Sequence, residues 1–180
     1  MPQVQSFPPI EDARARILIL GSMPGKASLA AGQYYAHAQN LFWRILGDVT
    51  GAAPSLPYAA RARALKSCGI ALWDVLASCT REGSLDSAID DATIRANDFV
   101  SFYRRHPGIV QVFFNGAKAE ACYRKHMLPL LADGLGPASY RRLPSTSPAN
   151  ASMSRAYKQR VWKRALRQAL AGRQGRAGAG

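Results

Sequence analysis

Four short strand-like segments, separated by longer helical stretches, constrain the fold of this chain more than any other feature. Their sequences are RILILG (16–21), IALWDVL (70–76), IVQVFFNG (109–116) and SYRRL (139–143). Short apolar runs that alternate with helices are typical of parallel strands joined by right-handed crossovers. The sequence therefore predicts an α/β fold, a three-layer α/β/α sandwich around a central four-stranded, mainly parallel sheet.

Five segments with helical spacing of apolar residues separate or follow these strands. We expect Asn40 to cap the first, Gly69 to end the second, and Asp90 or Asp91 to begin the third. They span 40–51, 56–69, 90–108, 117–131 and 152–172, and residues 77–90 are expected to form a polar loop. The last helix carries an apolar stripe of Met153, Tyr157, Val161 or Trp162, Leu166 and Leu170. Residues 1–172 are expected to form one domain, and residues 173–180 a flexible tail.

The charge of the chain is strongly positive and unevenly placed. The 180 residues carry a formal net charge of +13. After Glu120 the only acidic residue is Asp133, whereas this stretch holds half of the 24 lysines and arginines. Such a field attracts polyanions, and nucleic acid is the partner that it favours. No apolar run is long enough to cross a membrane and the N-terminus does not resemble a secretory signal, so we expect a cytoplasmic or nucleoid-associated protein.

Several common kinds of site are missing from the sequence. Three cysteines without a C-x-x-C pair do not supply the usual four ligands of a structural zinc or an iron–sulfur cluster, and we predict no metal and no cofactor. GSMPGK (21–26) lacks the spacing of a nucleotide phosphate loop, the three histidines are scattered, and there is no G-x-S-x-G motif. Serine, asparagine and aromatic residues remain at the strand ends. This set suits a neutral planar ligand such as a nucleobase.

The candidate residues lie in the loops at the carboxyl ends of the predicted strands, where ligands bind in such folds. Tyr34 and Tyr35 either form a flat stacking surface or plug the edge of the sheet. Asn40 is either a helix cap or a site residue. Asn115 either caps the next helix or presents its amide to a base edge.

The loop PSTSPAN (144–150) also allows two interpretations. Its hydroxyl groups, on Ser145, Thr146 and Ser147, either bind phosphates or belong to a helix entry capped by Asn150 or Ser152.

Taken in order, GSMPG, QYYAHAQNLFW, VFFNG and LPSTSPAN resemble the motifs of the uracil-DNA glycosylase superfamily over about residues 16–167. The resemblance is closest to the mismatch-specific and hypoxanthine-DNA glycosylase branches. AHAQNLFW is similar to the A-H-P-x-N-x-F-W of mismatch-specific members. The elements Q-Y-Y and S-T-S-P-A-N are more similar to the hypoxanthine branch.

The resemblance implies roles for individual residues. The loop that begins at Gly21 and Ser22 lies under the sugar and holds the attacking water, although Met23 stands where many members have Asn or Asp. Asn40 falls at the position that the hypoxanthine branch uses in catalysis. For the base itself, the implied contacts are stacking on Tyr35, edge recognition by Asn115 and a weak leaving-base contact from Ser145.

The remaining implied contacts are to DNA. Ala149 falls at the position of the wedge that fills the gap left by a flipped base. The residues assigned to DNA binding are Ser147, Pro148, Ala149, Asn150, Lys118 and Arg155.

The implied activity is that of a monofunctional DNA glycosylase, which hydrolyses the N-glycosidic bond of a flipped deaminated base. Hypoxanthine is favoured, with uracil or xanthine next. The implied partner is DNA containing a deaminated or mismatched base, bound by a monomer. Two alternatives stay open: a damaged-DNA-binding module without activity, consistent with Met23 and Ser145, and a small-molecule nucleoside hydrolase, which the charge disfavours.

Overall fold

The computed structural model describes residues 2–174 and contains two sheets and six α-helices. The strands are β1 (Gln3–Gln5), β2 (Ile17–Gly21), β3 (Ile70–Asp74), β4 (Leu76–Arg81), β5 (Ile89–Ala96), β6 (Gln111–Asn115) and β7 (Ser139–Leu143). The helices are α1 (Lys26–Ala31), α2 (Phe42–Thr50), α3 (Tyr58–Ser67), α4 (Phe99–Arg105), α5 (Ala117–His126) and α6 (Arg155–Gln174). None of the helices described is long and apolar enough to cross a membrane.

The central sheet confirms the predicted fold class. Its four strands lie in the order β3-β2-β6-β7, and every neighbouring pair is parallel. All four predicted strands are present. Because they run in the same direction, Gly21, Asp74, Asn115 and Leu143 end at one edge of the sheet, with Gly21 opposite Asp74 and Asn115 opposite Leu143.

Each face of the central sheet is covered by an apolar cluster, as a three-layer sandwich requires. Neighbouring residues Phe113 and Phe114 are both buried but point into different clusters, because successive side chains of a strand face opposite ways. One cluster includes Trp73, Phe99, Phe102, Phe114 and Tyr123, and the other includes Phe42, Trp43, Leu46, Phe113 and Trp162. The sheet is therefore held rigid on both sides, and its carboxyl edge is a stable platform for loops.

The prediction for residues 77–98 is wrong. The expected polar loop contains β4, and the helix expected from Asp90 or Asp91 is β5 up to Ala96. These strands pair antiparallel, and β1 adds to β4 in a second, three-stranded sheet. Pairing satisfies the backbone of polar segments whose apolar pattern is too weak to identify a strand. Helix α4 begins only at Phe99, where the side chain of Asp98 accepts a hydrogen bond from Ser101 N at 3.0 Å.

Two further expectations are modified. The segment after Gly25, which is not among the five helices that the sequence predicts, contains α1. Along α6, Trp162 and Leu166 are buried as expected, but Met153 precedes the helix and, like Tyr157, is 41% exposed. Helix α6 continues to Gln174, and the rest of the expected tail, residues 175–180, lies outside the described residues.

Candidate functional site

A cavity of about 570 Å³ opens at the carboxyl edge of the central sheet. Its walls bring together five residues that the sequence singled out from separate loops: Met23, Tyr35, Asn40, Asn115 and Ser145. Gly21, Ser22, Lys118 and residues 147–150 also line it. Arg155 lies outside the lining, where its Nη1 donates to the carbonyl of Gln39 at 3.1 Å.

The loop of residues 21–25 contributes shape and backbone to the cavity. The carbonyl oxygens of Gly21 and Ser22 accept hydrogen bonds from Val75 N at 2.8 Å and Leu76 N at 3.2 Å. The buried guanidinium of Arg81 donates to the carbonyl of Pro24. Met23 is 7% exposed and packs in the apolar cluster that contains Trp73 and Phe114. The methionine thus anchors the loop to the core, which explains why an apolar residue stands there.

Gly21 is required by a close approach at the floor of the cavity. A Cβ atom on Gly21 would lie 2.5 Å from Asp74 Oδ1 and 2.8 Å from the hydroxyl oxygen of Tyr35. Real side chains do not tolerate such distances, so the glycine makes the room in which Asp74 and Tyr35 meet. We call Gly21, Asp74, Asp86 and the Tyr35 hydroxyl the carboxyl floor.

The two tyrosines before α2 have different roles in the fold. Tyr34 is a buried plug, whose hydroxyl donates to the carbonyl of Pro8 at 2.9 Å. Tyr35 lines the cavity and stacks on Phe42, with ring centroids 4.1 Å apart. Its φ of 53° lies in the left-handed region, which costs energy for a bulky residue and is found most often at functional sites.

The hydroxyl of Tyr35 is buried and has no hydrogen-bond partner among the described residues. Burial, together with the negative charge of Asp74, raises the pKa of this phenol above its ordinary value, although the nearby amide of Asn115 opposes the rise. The group therefore stays protonated and available as a donor.

Asn40 bonds to the start of a helix, much as one of the two interpretations proposed, although Leu41 occupies the N-cap position. Its Oδ1 accepts a hydrogen bond from Phe42 N at 3.0 Å, at the first residue of α2. The side chain also lines the cavity, and its Nδ2 makes no hydrogen bond to a described residue. Capping and a role at the site are therefore compatible.

The amide of Asn115 holds the loop of residues 143–151 in place. Its Nδ2 donates to Thr146 Oγ1 and its Oδ1 accepts from Thr146 N, both at 2.9 Å. It does not cap α5, whose first turn receives no side-chain cap. Both polar atoms of the amide are thus engaged in positioning residues 143–151, which we call the loop wall.

A buried lysine, which the sequence did not single out, holds the loop wall from behind. Lys158 is 3% exposed, and its Nζ donates to the carbonyls of Ser147 at 3.1 Å and Asn150 at 2.5 Å. Trp162 Nε1 donates to the carbonyl of Pro144 at 2.7 Å. Burial and the neighbouring Arg155 lower the pKa of Lys158.

The start of α6 is capped by Ser154, whose Oγ accepts a hydrogen bond from Tyr157 N at 3.1 Å. The two residues expected to cap this helix, Asn150 and Ser152, therefore do not.

Two carboxyl groups of the floor were also missed. Burial raises the pKa of Asp74 to about 7, nearby Asp86 adds to the rise, and Arg81 opposes it. Asp86 accepts a hydrogen bond from Ser22 Oγ at 2.6 Å, and burial raises the pKa of Asp86 as well. Asp74 ends the apolar strand IALWD just as Asn115 ends QVFFN. The predicted strand ran to residue 76, which placed Asp74 inside it, so this boundary error concealed the residue.

Lys118 is committed to an ion pair. Its Nζ lies 2.7 Å from Asp91 Oδ1, on β5. Among the described residues no group of three or more His, Cys, Asp or Glu side chains is arranged to hold a metal ion.

Comparison with known proteins assigns the family. Residues 8–171 match the family described as the Uracil DNA glycosylase superfamily. A Hypoxanthine DNA glycosylase from Methanosarcina acetivorans is 38% identical over 152 residues, which cover 84% of this chain and 90% of the relative. One from Methanosarcina barkeri is 44% identical over 116 residues, covering 64% of this chain and 72% of the relative.

The fold is similar to that of a solved structure. A solution NMR structure from Methanosarcina acetivorans, described as a candidate uracil DNA glycosylase, superposes with a TM-score of 0.75 at 34% identity. The match covers 93% of this chain and 99% of the other. The motif order, the fold and the relatives agree, so this chain belongs to the uracil DNA glycosylase superfamily and is a DNA glycosylase.

Proposed function

We propose that this enzyme hydrolyses the N-glycosidic bond of a deaminated base in DNA, with hypoxanthine as the preferred base and uracil or xanthine next. The observation that carries the proposal is the convergence of Tyr35, Asn40, Asn115 and Ser145 on one cavity. The names of the two relatives, both Hypoxanthine DNA glycosylases, support hypoxanthine as the first choice.

The cavity suits a base that has left the double helix. Extrusion of a base costs a few kcal/mol, and it costs least for damaged or mispaired bases. The ring of Tyr35, backed by Phe42, offers a stacking surface to the base. Residues 147–150 line the same cavity, which supports assigning them to the flanking strand, with Ala149 as the small wedge.

The reaction breaks the bond between C1′ and the base nitrogen, joins the water oxygen to C1′, and passes a proton from the water to the departing base. Positive charge develops at C1′ before the water adds, and negative groups nearby lower its energy. The DNA phosphates and the carboxylate of Asp86, held by Ser22, supply such charge. The free Nδ2 of Asn40 is the group that we assign to positioning the water or the leaving base.

A monofunctional mechanism is consistent with the surroundings of the cavity lysines. Lys118 is paired with Asp91, and Lys26 is exposed to solvent. Desolvation lowers the pKa of Lys118, but the hydrogen bond and charge of Asp91 outweigh it, so the pKa is raised. Neither lysine therefore supplies the neutral amine that forms a Schiff base.

The test is cleavage of a panel of DNA duplexes that carry hypoxanthine, uracil or xanthine at one position, followed by alkali to break abasic sites. We expect strand breaks with hypoxanthine first, and none with the undamaged duplex. Asn40→Ala should lose most of the turnover, whereas Asp133→Asn, an exposed position outside the cavity, should behave as the wild type. Absence of abasic product from all three damaged duplexes would contradict the proposal, and damage-dependent binding without product would instead indicate a non-catalytic binding module.

A further inference from the structure

Asp74 is the most buried carboxyl group that lines the cavity, and no hydrogen bond accounts for its buried carboxyl oxygen. The residue is 3% exposed, and its Oδ2 has no hydrogen-bond partner among the described residues. Its main-chain carbonyl, by contrast, accepts from Asn97 Nδ2 at 2.8 Å. A buried carboxylate without a donor is costly, so a retained one suggests that a ligand supplies the donor.

The position of Asp74 relative to Tyr35 decides which part of a nucleotide it meets. Asp74 Oδ1 and the Tyr35 hydroxyl both lie within 3 Å of one point above Gly21. Tyr35 and Asp74 also line the same cavity, so a base that reaches the Tyr35 ring is close enough for its edge to meet Asp74. A flipped nucleotide remains tied to the DNA strand by its phosphates, so the base enters the cavity first and its edge reaches the floor.

Deamination changes the hydrogen-bonding character of that edge. Adenine N1 and cytosine N3 are acceptors, whereas the corresponding atoms of hypoxanthine and uracil carry a hydrogen and are donors. An ionised carboxylate is an acceptor only. The carboxylate therefore accepts a hydrogen bond from the deaminated base. It repels the parent base, because the lone pairs of two acceptors then point at each other. Asn115 is less suited to this task, because its amide carries both a donor and an acceptor and therefore pairs with either base. The amide also already holds Thr146.

We propose that Asp74 is the specificity-determining residue, and that its carboxylate accepts the ring N–H that deamination creates. The inference rests on the proposed function, since it assigns the base recognition of that same cavity. It also gives a reason for Gly21, because any side chain there displaces the carboxylate from the base edge.

The surroundings of Asp74 make this recognition dependent on pH. The charges of Asp86 and Arg81 shift the pKa of Asp74 in opposite directions. The charge of Asp74 in turn acts on the pKa of three tyrosines, Tyr34, Tyr35 and Tyr58. Burial and Asp86 together place its pKa at about 7. The accepting, ionised form therefore increases between pH 6 and pH 8, and preference for the deaminated base increases with it.

The experiment measures binding apart from chemistry, with duplexes whose target nucleotide carries a 2′-fluorine that resists cleavage. The target bases are hypoxanthine, adenine and 1-methylhypoxanthine, which lacks the ring N–H. The proteins are wild type, Asp74→Asn, Asp74→Ala and the exposed control Asp133→Asn.

Asp74→Ala loses a charge-assisted hydrogen bond, so its binding to hypoxanthine should be weaker by about 10- to 100-fold. Asp74→Asn has an amide that pairs with either base, so its preference for hypoxanthine over adenine should fall by about 10-fold or more, and the dependence on pH should vanish. Wild type and Asp133→Asn should reject 1-methylhypoxanthine, whereas Asp74→Ala should not distinguish it from hypoxanthine.

Each result bears on one claim. Unchanged preference and pH dependence in folded Asp74→Asn would overturn the inference while leaving the proposed function intact. The inference would also be overturned if the Asp74 variants bound every duplex normally but lost cleavage of every base to the same extent. Asp74 would then act on the water and not on the base. Wild-type protein that binds hypoxanthine selectively at high pH but cuts no duplex would contradict the proposed function and support the inference. If Asp74→Ala does not fold, Asp74→Asn and the methylated base still decide the question.

Discussion

The loop wall and the carboxyl floor line the same cavity, but they differ in how their polar groups are bonded. Asp86 of the floor is bonded to Ser22, whereas two other floor groups differ from the bonded groups of the wall. In the wall, Thr146 is bonded to Asn115 and the carbonyls of Ser147 and Asn150 are bonded to Lys158. In the floor, Asp74 Oδ2 and the Tyr35 hydroxyl are buried without a partner among the described residues. Groups that are satisfied internally build the shape of a site, and groups left unsatisfied are available to a ligand. The difference suggests that the wall positions DNA and that the floor recognises the base.

The largest effect is expected from filling the floor by Gly21→Ala. The added methyl group would overlap Asp74 Oδ1 and the Tyr35 hydroxyl, so we expect turnover on hypoxanthine-containing DNA to fall by about 100-fold or more. Gly25→Ala is a matched control in the same loop, because its Cβ would lie at an ordinary 3.5 Å from Ser84. Single-turnover cleavage by the two variants measures the effect. Equal activities would show that the floor does not need this space.

Asp74→Asn tests whether the unpaired carboxylate of Asp74 lowers the free energy of unfolding. The pKa of Asp74 is about 7 in the folded protein against 3.8 in the ordinary state. The unfolded chain therefore ionises first as the pH rises, and the folded state becomes relatively less stable between about pH 4 and pH 7. Asn removes this cost, so the free energy of unfolding at pH 8 should exceed that of the wild type by about 2–4 kcal/mol, with little gain at pH 4.

Urea unfolding of both proteins at several pH values provides the measurement. A variant that is less stable than the wild type at pH 8 would mean that the carboxylate is already stabilised in the free protein. The contrast between floor and wall would then be incorrect.

In the wall, paired substitutions separate positioning from base recognition. Asn115→Ala leaves Thr146 N unpaired and should lower the free energy of unfolding by about 1–3 kcal/mol, with a marked loss of turnover and retained DNA affinity. Thr146→Val removes only the hydroxyl that accepts from Asn115 Nδ2 and should give a milder version of the same result. Kinetics and urea unfolding on both variants are compared. If Thr146→Val is normal and Asn115→Ala is inactive yet stable, Asn115 contacts the base directly.

The smallest effect on base choice is expected from the basic side of α6, which lies away from both surfaces. A shallow depression there is lined by Arg160, Lys163, Arg164 and Arg167. Replacing Arg160, Arg164 and Arg167 by Gln should reduce the slope of log affinity against log salt by about 0.9 for each phosphate that is no longer neutralised, with the preference for hypoxanthine unchanged. Fluorescence anisotropy over a range of salt concentrations measures both quantities. A changed base preference would place base recognition outside the cavity.

The comparison of Asn115 with Asp74 shows how far the site could be predicted. Both residues end apolar strands in the structure, but the sequence placed only Asn115 near a strand end, because the predicted strand of Asp74 ran to residue 76. Only the packed structure shows that the amide is bonded to Thr146, while the carboxyl Oδ2 has no donor among the described residues. Hydrogen-bond satisfaction depends on residues far apart in the chain, here 31 positions, and no local pattern reports it.

The strands that the sequence missed teach the same lesson at the level of the fold. Strands β4 and β5 contain polar residues such as Ser78, Thr80 and Asp90, and their alternation is weak. They are strands because they pair with each other and with β1. The turn between them carries Asp86 to the cavity, so an error in this hairpin concealed a carboxyl group of the site.

By itself, the sequence determined the parallel core and the loops in which the site lies. Apolar runs such as ILIL and VFF are buried on both faces of a sheet whatever their neighbours are, and this local property is sufficient to identify them. The tertiary structure decided what each polar side chain is free to do, because that depends on desolvation and on partners brought together by folding. Met23 belongs to the core, Asn115 and Lys158 hold the wall, and Asp74 Oδ2 has no partner among the described residues, because of packing that spans the whole domain.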